Sequence, residues 1–254
     1  MRFDGKVVIV TGASRGIGKS AALAFAKEGA DVVVAARTES AGQHFLPGTI
    51  QETAEQVRAL GRRALPVRVD VSDEQSVEQM VHRTLETFGR IDVLVNNAAI
   101  AFYGPVKDMV PKKWDTVVKV VLRGSFICCK AVLPTMIERK SGSIVNISSM
   151  AADMDGPVFV GLAYCSAKAA IERFTNGLAD EVKPFNIAVN AIKPRGIVST
   201  EGMRAWNPDA DYSTWDSPED FMVKGILFLA TQDASKVTGK IFVDEALCRE
   251  YGIA

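Results

Sequence analysis

Histidine is almost missing from this 254-residue sequence: His44 and His82 are the only two, and neither has a neighbour at metal-ligand spacing. A metal centre is therefore not expected. Cysteine is sparse too. Cys128, Cys129, Cys165 and Cys248 form no Cys-x-x-Cys pair and no repeating framework, so they read as small buried thiols. Net charge is absent, with 30 Lys plus Arg against 30 Asp plus Glu. Nucleic acids and anionic membrane surfaces call for a basic face, so neither is an expected partner. No uninterrupted apolar run approaches the roughly 20 residues that cross a bilayer, and no membrane span is expected. No signal-peptide pattern precedes the first strand, and the final Ile253 and Ala254 match no targeting signal, which makes the cytoplasm the expected compartment.

What is present is ordinary globular composition, 48% hydrophobic and 24% charged, in regular alternation. Apolar strands are expected at Lys6–Val10, Asp31–Ala36, Ala64–Val69, Ile91–Val95, Ser143–Ile147, Ile187–Ile192 and Lys240–Val243. Helical periodicity fills the intervals at Ile17–Glu28, Thr49–Leu60, Glu74–Phe88, Pro111–Arg139, Tyr164–Val182 and Pro218–Ala230. Thr49 and Glu52 stand at capping-box spacing. This alternation implies one α/β domain over residues 1–254, a doubly wound seven-stranded parallel sheet with helices on both faces. Strands such as VVIV and SIVNI are apolar on both sides, as a sheet covered twice requires. The irregular stretch Ser199–Ser217 leaves the carboxyl end of a strand, where ligands of such sheets sit, and is a candidate substrate lid.

The first strand runs into Thr11-Gly-Ala-Ser-Arg-Gly-Ile-Gly18, and a helix follows. Glycines at 12, 16 and 18 let a pyrophosphate approach the backbone, and the N–H groups of the helix start face its charge. Gly18–Lys19–Ser20 looks like the end of a nucleoside-triphosphate loop, but that motif needs a glycine where Ala13 stands. A dinucleotide is the expected ligand. The second strand ends Ala35–Ala36–Arg37, without the acid that reads the ribose 2′-hydroxyl of NAD; Glu39 lies past the strand end. Arg15 and Arg37 carry planar donors that fit a 2′-phosphate. NADP(H) is the expected cofactor and NAD(H) the alternative.

Tyr164 and Lys168 are four residues apart on one helix face. A phenol with a pKa near ~10 exchanges protons poorly at neutral pH, but a neighbouring ammonium and a cationic nicotinamide would lower that value. Tyr164 could then act as general acid and base toward a carbonyl or alcohol oxygen, with Ser149 at the end of the fifth strand holding that oxygen.

Together these motifs resemble the short-chain dehydrogenases/reductases over essentially the whole chain, and several finer features are similar to their hydroxysteroid-dehydrogenase-like branch: Leu46-Pro-Gly-Thr-Ile50, Pro194-Arg-Gly-Ile-Val-Ser-Thr200 and Val243-Asp-Glu245. The resemblance implies a Rossmann fold. It implies Ser149, Tyr164 and Lys168 as catalytic residues, with Ser148 as the alternative serine. It places Gly12, Ser14, Arg15, Gly16, Ile17, Gly18, Arg37, Asp70, Val71, Asn97, Ala98, Tyr164, Lys168, Pro194, Ile197 and Thr200 around the cofactor. It further implies a homotetramer or homodimer built on the helices containing Cys128 and Tyr164, where Ala167, Ala169 and Ala170 permit close approach.

The chain departs from the family pattern at three places. Val121 stands where a catalytic asparagine is usual; Ser149 lies fifteen residues before Tyr164, about two more than usual; and the usual Pro-Gly and Asp-Gly-Gly read Pro194–Arg195 and Asp244–Glu245–Ala246. The expected function is hydride transfer between NADP(H) and a ketone or secondary alcohol. Val121 motivates the rival reading, an NADP(H)-binding sensor or scaffold with impaired catalysis.

Overall fold

The computed structural model describes residues 1–153 and 160–253. Seven strands form one sheet: β1 (Val7–Thr11), β2 (Asp31–Ala36), β3 (Ala64–Arg68), β4 (Val93–Asn96), β5 (Gly142–Ile147), β6 (Ile187–Lys193) and β7 (Ile241–Val243). Their spatial order is 3-2-1-4-5-6-7 and every pairing is parallel. The winding therefore reverses between β1 and β4, and the carboxyl ends of those two strands splay around a crevice.

Successive residues of one strand feed opposite cores, the period-2 consequence of the pleat. Val8, Val10, Val32 and Val34 pack on one face against Phe25 of α1 (Gly16–Lys27), Val57 of α2 (Ile50–Ala59) and the later helix α8 (Met222–Ala230). Val7, Ile9, Val33 and Leu94 pack on the other against Met80 of α3 (Glu74–Phe88), Ile127 and Met136 of α5 (Gly124–Arg139) and Leu178 of α6 (Leu162–Val182). The predicted capping box closes α2: Glu52 N donates to Thr49 Oγ1 at 3.1 Å and Thr49 N to Glu52 Oε2 at 3.2 Å. All four cysteines are free and buried.

Three elements differ from the sequence expectation. The stretch Pro111–Arg139 is α4 (Pro111–Val117), a wider π-turn over Val118–Arg123, and α5. By its 29-residue length and the mean hydropathy of its most apolar 18-residue window (1.6) it could cross a membrane, although charged residues interrupt the apolar runs. Its apolar side instead covers the sheet, with Ile127, Cys128, Cys129, Val132 and Met136 at most 1% exposed. A short helix α7 (Glu201–Trp206) lies inside the candidate lid, and α9 (Asp244–Glu250) follows β7 directly. Both are too short for periodicity to announce them.

Candidate active site

The crevice at the switch point is a cleft of about 540 Å³. Its floor is the glycine turn. Gly12 has φ +68°, and a Cβ there would come within 2.8 Å of Asn97 Nδ2 and 3.0 Å of Ala98 Cα. The turn is locked to β4 from below: Asn97 N and Ala98 N donate to Thr11 Oγ1 at 3.0 and 3.1 Å, and Asn97 Nδ2 donates to Thr11 O at 2.9 Å. Asn97 thus braces the turn through its side chain. Of the cofactor residues expected from sequence, all but Gly18 line the cleft. Gly18 is buried behind it, where a Cβ would collide with Gly12 O and Asn97 Nδ2, so its smallness serves the docking of α1 onto the turn. Asp70 and Val71 form the wall beyond β3, and Asp70 Oδ1 is held by the N–H and hydroxyl of Ser72 at 2.9 and 2.8 Å.

The arginines divide their work differently from the sequence reading. Arg15 donates to the carbonyls of Leu46, Pro47 and Gly48 at 3.4, 2.8 and 2.9 Å and to Thr38 Oγ1 at 3.3 Å. It fastens the loop after β2 onto the glycine turn. Arg37 is exposed and makes no hydrogen bond among the described residues. Burial, and then the charge of Arg37, lower the pKa of Arg15, while the Glu201 carboxylate opposes them. Glu201 Oε2 also accepts from Gly16 N at 2.9 Å, which places the start of α7 against the start of α1. Sequence gave no sign of that contact, 185 residues apart.

At the other end of the cleft Ser149, Tyr164 and Lys168 meet. Ser149 lies two residues past β5 and faces the Tyr164 phenol, while the Ser148 hydroxyl is committed to Glu172 Oε1, to which it donates at 2.7 Å. Lys168 is 3% exposed, donates through Nζ to Ile147 O, and lies 5.5 Å from the centre of the Tyr164 ring. Burial pushes Tyr164 up to about 12, against a smaller lowering by the Ser149 hydroxyl, and pushes Lys168 down to about 8. The protein alone therefore moves the tyrosine in the direction opposite to the sequence expectation: loss of water disfavours phenolate more than the neighbouring groups favour it. Phe102, Tyr103, Met150, Val160, Met203 and Trp206 give this end an apolar wall, with Tyr103 and Trp206 rings 4.8 Å apart.

The three departures also acquire physical form. Val121 is 1% exposed and packs with Val117, Ala163, Ala167 and Ile171 in a cluster that backs Ile100, Phe102 and Tyr164 of the cleft wall; its carbonyl accepts from Ser125 Oγ at 2.8 Å. The longer spacing between Ser149 and Tyr164 runs through residues 154–159, which lie outside the described residues. Arg195 and Glu245, the other departures, pair with each other at 3.0 Å. Arg195 also makes a two-point contact to Asp216 (2.9 and 2.7 Å), and its backbone N–H donates to buried Asp244 Oδ1 at 2.8 Å. A parallel bridge between Val198 and Asp216 brings the chain back beside its point of departure, so Ser199–Ser217 is a loop with a pinned base.

A 3-2-1-4 parallel sheet with a glycine turn at its switch point defines a dinucleotide-binding protein of the Rossmann type. Residues 6–211 match the sequence model of the short chain dehydrogenase family, and the chain belongs to that family. It is 35% identical over 268 residues to the human hydroxysteroid dehydrogenase-like protein 2, covering 99% of this chain and 59% of that protein. The chain thus spans less than two thirds of that relative. It is 33% identical to the 3-oxoacyl-[acyl-carrier-protein] reductase FabG of Thermotoga maritima, covering 95% of this chain and 96% of the other. Among solved structures, a dehydrogenase from Xanthomonas campestris shares 32% identity over 99% of this chain and 90% of its own, with a TM-score of 0.86.

Proposed function

We propose that the cleft binds NADP(H) and that the protein interconverts a ketone and a secondary alcohol. The observation that carries this reading is the convergence of the Ser149 hydroxyl, the Tyr164 phenol and the Lys168 ammonium on the wall of the cleft whose floor is the glycine turn. A bound nicotinamide supplies or accepts the hydride. Tyr164, kept protonated by burial, gives its proton to the substrate oxygen in reduction. Ser149 holds that oxygen by a hydrogen bond, and Lys168 anchors the nicotinamide ribose while placing positive charge beside the phenol. In oxidation Tyr164, as phenolate, takes the alcohol proton, and a cationic nicotinamide held in the cleft would counter the burial that keeps the phenol protonated.

NADP(H) is favoured over NAD(H) because β2 ends at Ala36 and runs into Arg37, with no acid at that point and Arg37 on the cleft wall. The relatives support the reaction class: FabG is by name a 3-oxoacyl reductase, and a Thauera aromatica relative at 33% identity is a hydroxy(phenyl)methyl-succinyl-CoA dehydrogenase subunit. In this reading the pinned loop Ser199–Ser217 is the substrate lid. The exposed Phe126 and Leu162 on α5 and α6 offer the surface for a dimer or tetramer.

Tyr164→Phe tests the assignment. NADPH-dependent carbonyl reduction should fall by roughly a hundredfold or more while dinucleotide affinity is retained. Undiminished turnover in that variant overturns the mechanism.

A further inference from the structure

The loop after β2 carries a third nitrogen donor that the two-arginine picture omits. His44 is half-buried and lines the same end of the cleft as Arg15 and Arg37. Its Nδ1 accepts a hydrogen bond from Leu46 N at 3.0 Å. A ring nitrogen that accepts cannot carry a proton, so the imidazole is the neutral Nε2–H tautomer. Burial and the charges of Arg15 and Arg37 act in the same direction, holding its pKa below the ordinary value. The ring also stacks on the exposed Phe45, with ring centroids 4.6 Å apart and an interplanar angle of 27°.

Arg15 meanwhile holds its Nε and Nη2 on the carbonyls of residues 46–48 and on Thr38, the same loop that presents His44. Arg15 is thus largely scaffold, and Arg37 and the outer nitrogen of His44 are left as donors. The geometry points to His44 as a specificity-determining residue: its Nε2–H donates to the 2′-phosphate of the adenosine ribose, beside the Arg37 guanidinium. This inference rests on the NADP(H) reading and deepens it. The role suits a neutral imidazole, since a donor held in place by the Leu46 N–H meets the phosphate without rearranging the loop.

Two ligands that differ only in that phosphate, adenosine 2′,5′-diphosphate and adenosine 5′-monophosphate, isolate the contact by calorimetric titration of the full chain. The His44→Asn variant keeps an acceptor at the Nδ1 position for Leu46 N–H and loses the outer donor. It should weaken the diphosphate about tenfold and leave the monophosphate unchanged, as expected for one hydrogen bond to a charged group. His44→Gln, whose amide nitrogen reaches the Nε2 position, should recover part of the loss. A wild-type preference for the diphosphate that His44→Asn keeps intact overturns the role of His44 alone. Equal weakening of both ligands also overturns it, since that is collapse of the loop rather than loss of a contact. A wild-type protein that does not distinguish the two ligands overturns the NADP(H) reading, and the His44 assignment with it.

Discussion

At the amino edge of the sheet, just before β4, Asp92 is 5% exposed and surrounded by cations. Arg90 reaches it at 2.7 and 2.6 Å, Arg139 at 2.9 Å and Lys6 at 3.3 Å, and Val7 N donates to it at 3.0 Å. Despite the opposing effect of burial, these partners hold its pKa at about 2. At the carboxyl edge the balance is reversed. Tyr164 and Lys168 are both driven toward their neutral forms, and Asp244 is raised by burial, with Oδ2 lacking a partner among the described residues. One edge satisfies its charges and is built for stability. The other pairs Arg195 fully but withholds that satisfaction from Tyr164, Lys168 and Asp244, leaving groups whose proton affinity a ligand can change.

Asp92→Ala breaks the contrast most strongly. Removing one partner of a buried ion cluster should cost about 3 kcal/mol in denaturant unfolding and leave NADPH affinity within a factor of about two. The acid limb should change as well. The native carboxylate titrates near 2 and the unfolded one at its ordinary 3.8, so its contribution is complete above about pH 4 and is lost as pH falls through 2. That segment of the stability curve, worth about 2 kcal/mol, should be missing from the variant.

Lys168→Met should act in the opposite sense. Below about pH 8 the fold must keep a buried amine charged, and this cost fades as pH rises from about 8 to the ordinary 10.5. The variant should therefore be more stable than wild type by about 2 kcal/mol at pH 7, after allowing for the lost bond to Ile147 O, and the gain should shrink through that interval. A variant destabilised at pH 7 would show that Lys168 belongs with Asp92 as a structural charge. Val121→Asn has the smallest expected effect. An amide placed among Val117, Ala163 and Ile171 should cost about 1–2 kcal/mol and change turnover only a few-fold. A large gain in carbonyl reduction would instead favour the rival sensor reading.

The sheet was legible because every βαβ unit repeats the same period change, and the Thr49–Glu52 box marked the start of α2 to the residue. Contacts between distant residues were not. Arg195 and Glu245 each look like a departure from a motif, and only the fold shows that they pair with each other. Arg15 has the right chemistry for a phosphate, yet its donors are directed to loop carbonyls that no spacing rule ties to the glycine turn. The sign of the Tyr164 shift depends on how much water reaches the phenol, a property of the packed cleft. His44 carries no motif, and its place in the cleft depends on how the loop after β2 folds back onto the glycine turn.

The bridge between Val198 and Asp216, braced by Arg195, gives the loop that follows β6 two ends that stand side by side. A segment anchored this way can be lengthened, shortened or exchanged without disturbing a strand or either core, because closure entropy rises only slowly with length. The architecture thus separates inheritance into two parts: a sheet that must be kept nearly whole, and a stretch of about nineteen residues that, apart from Thr200 and Glu201 beside the glycine turn, can vary at little risk to the fold.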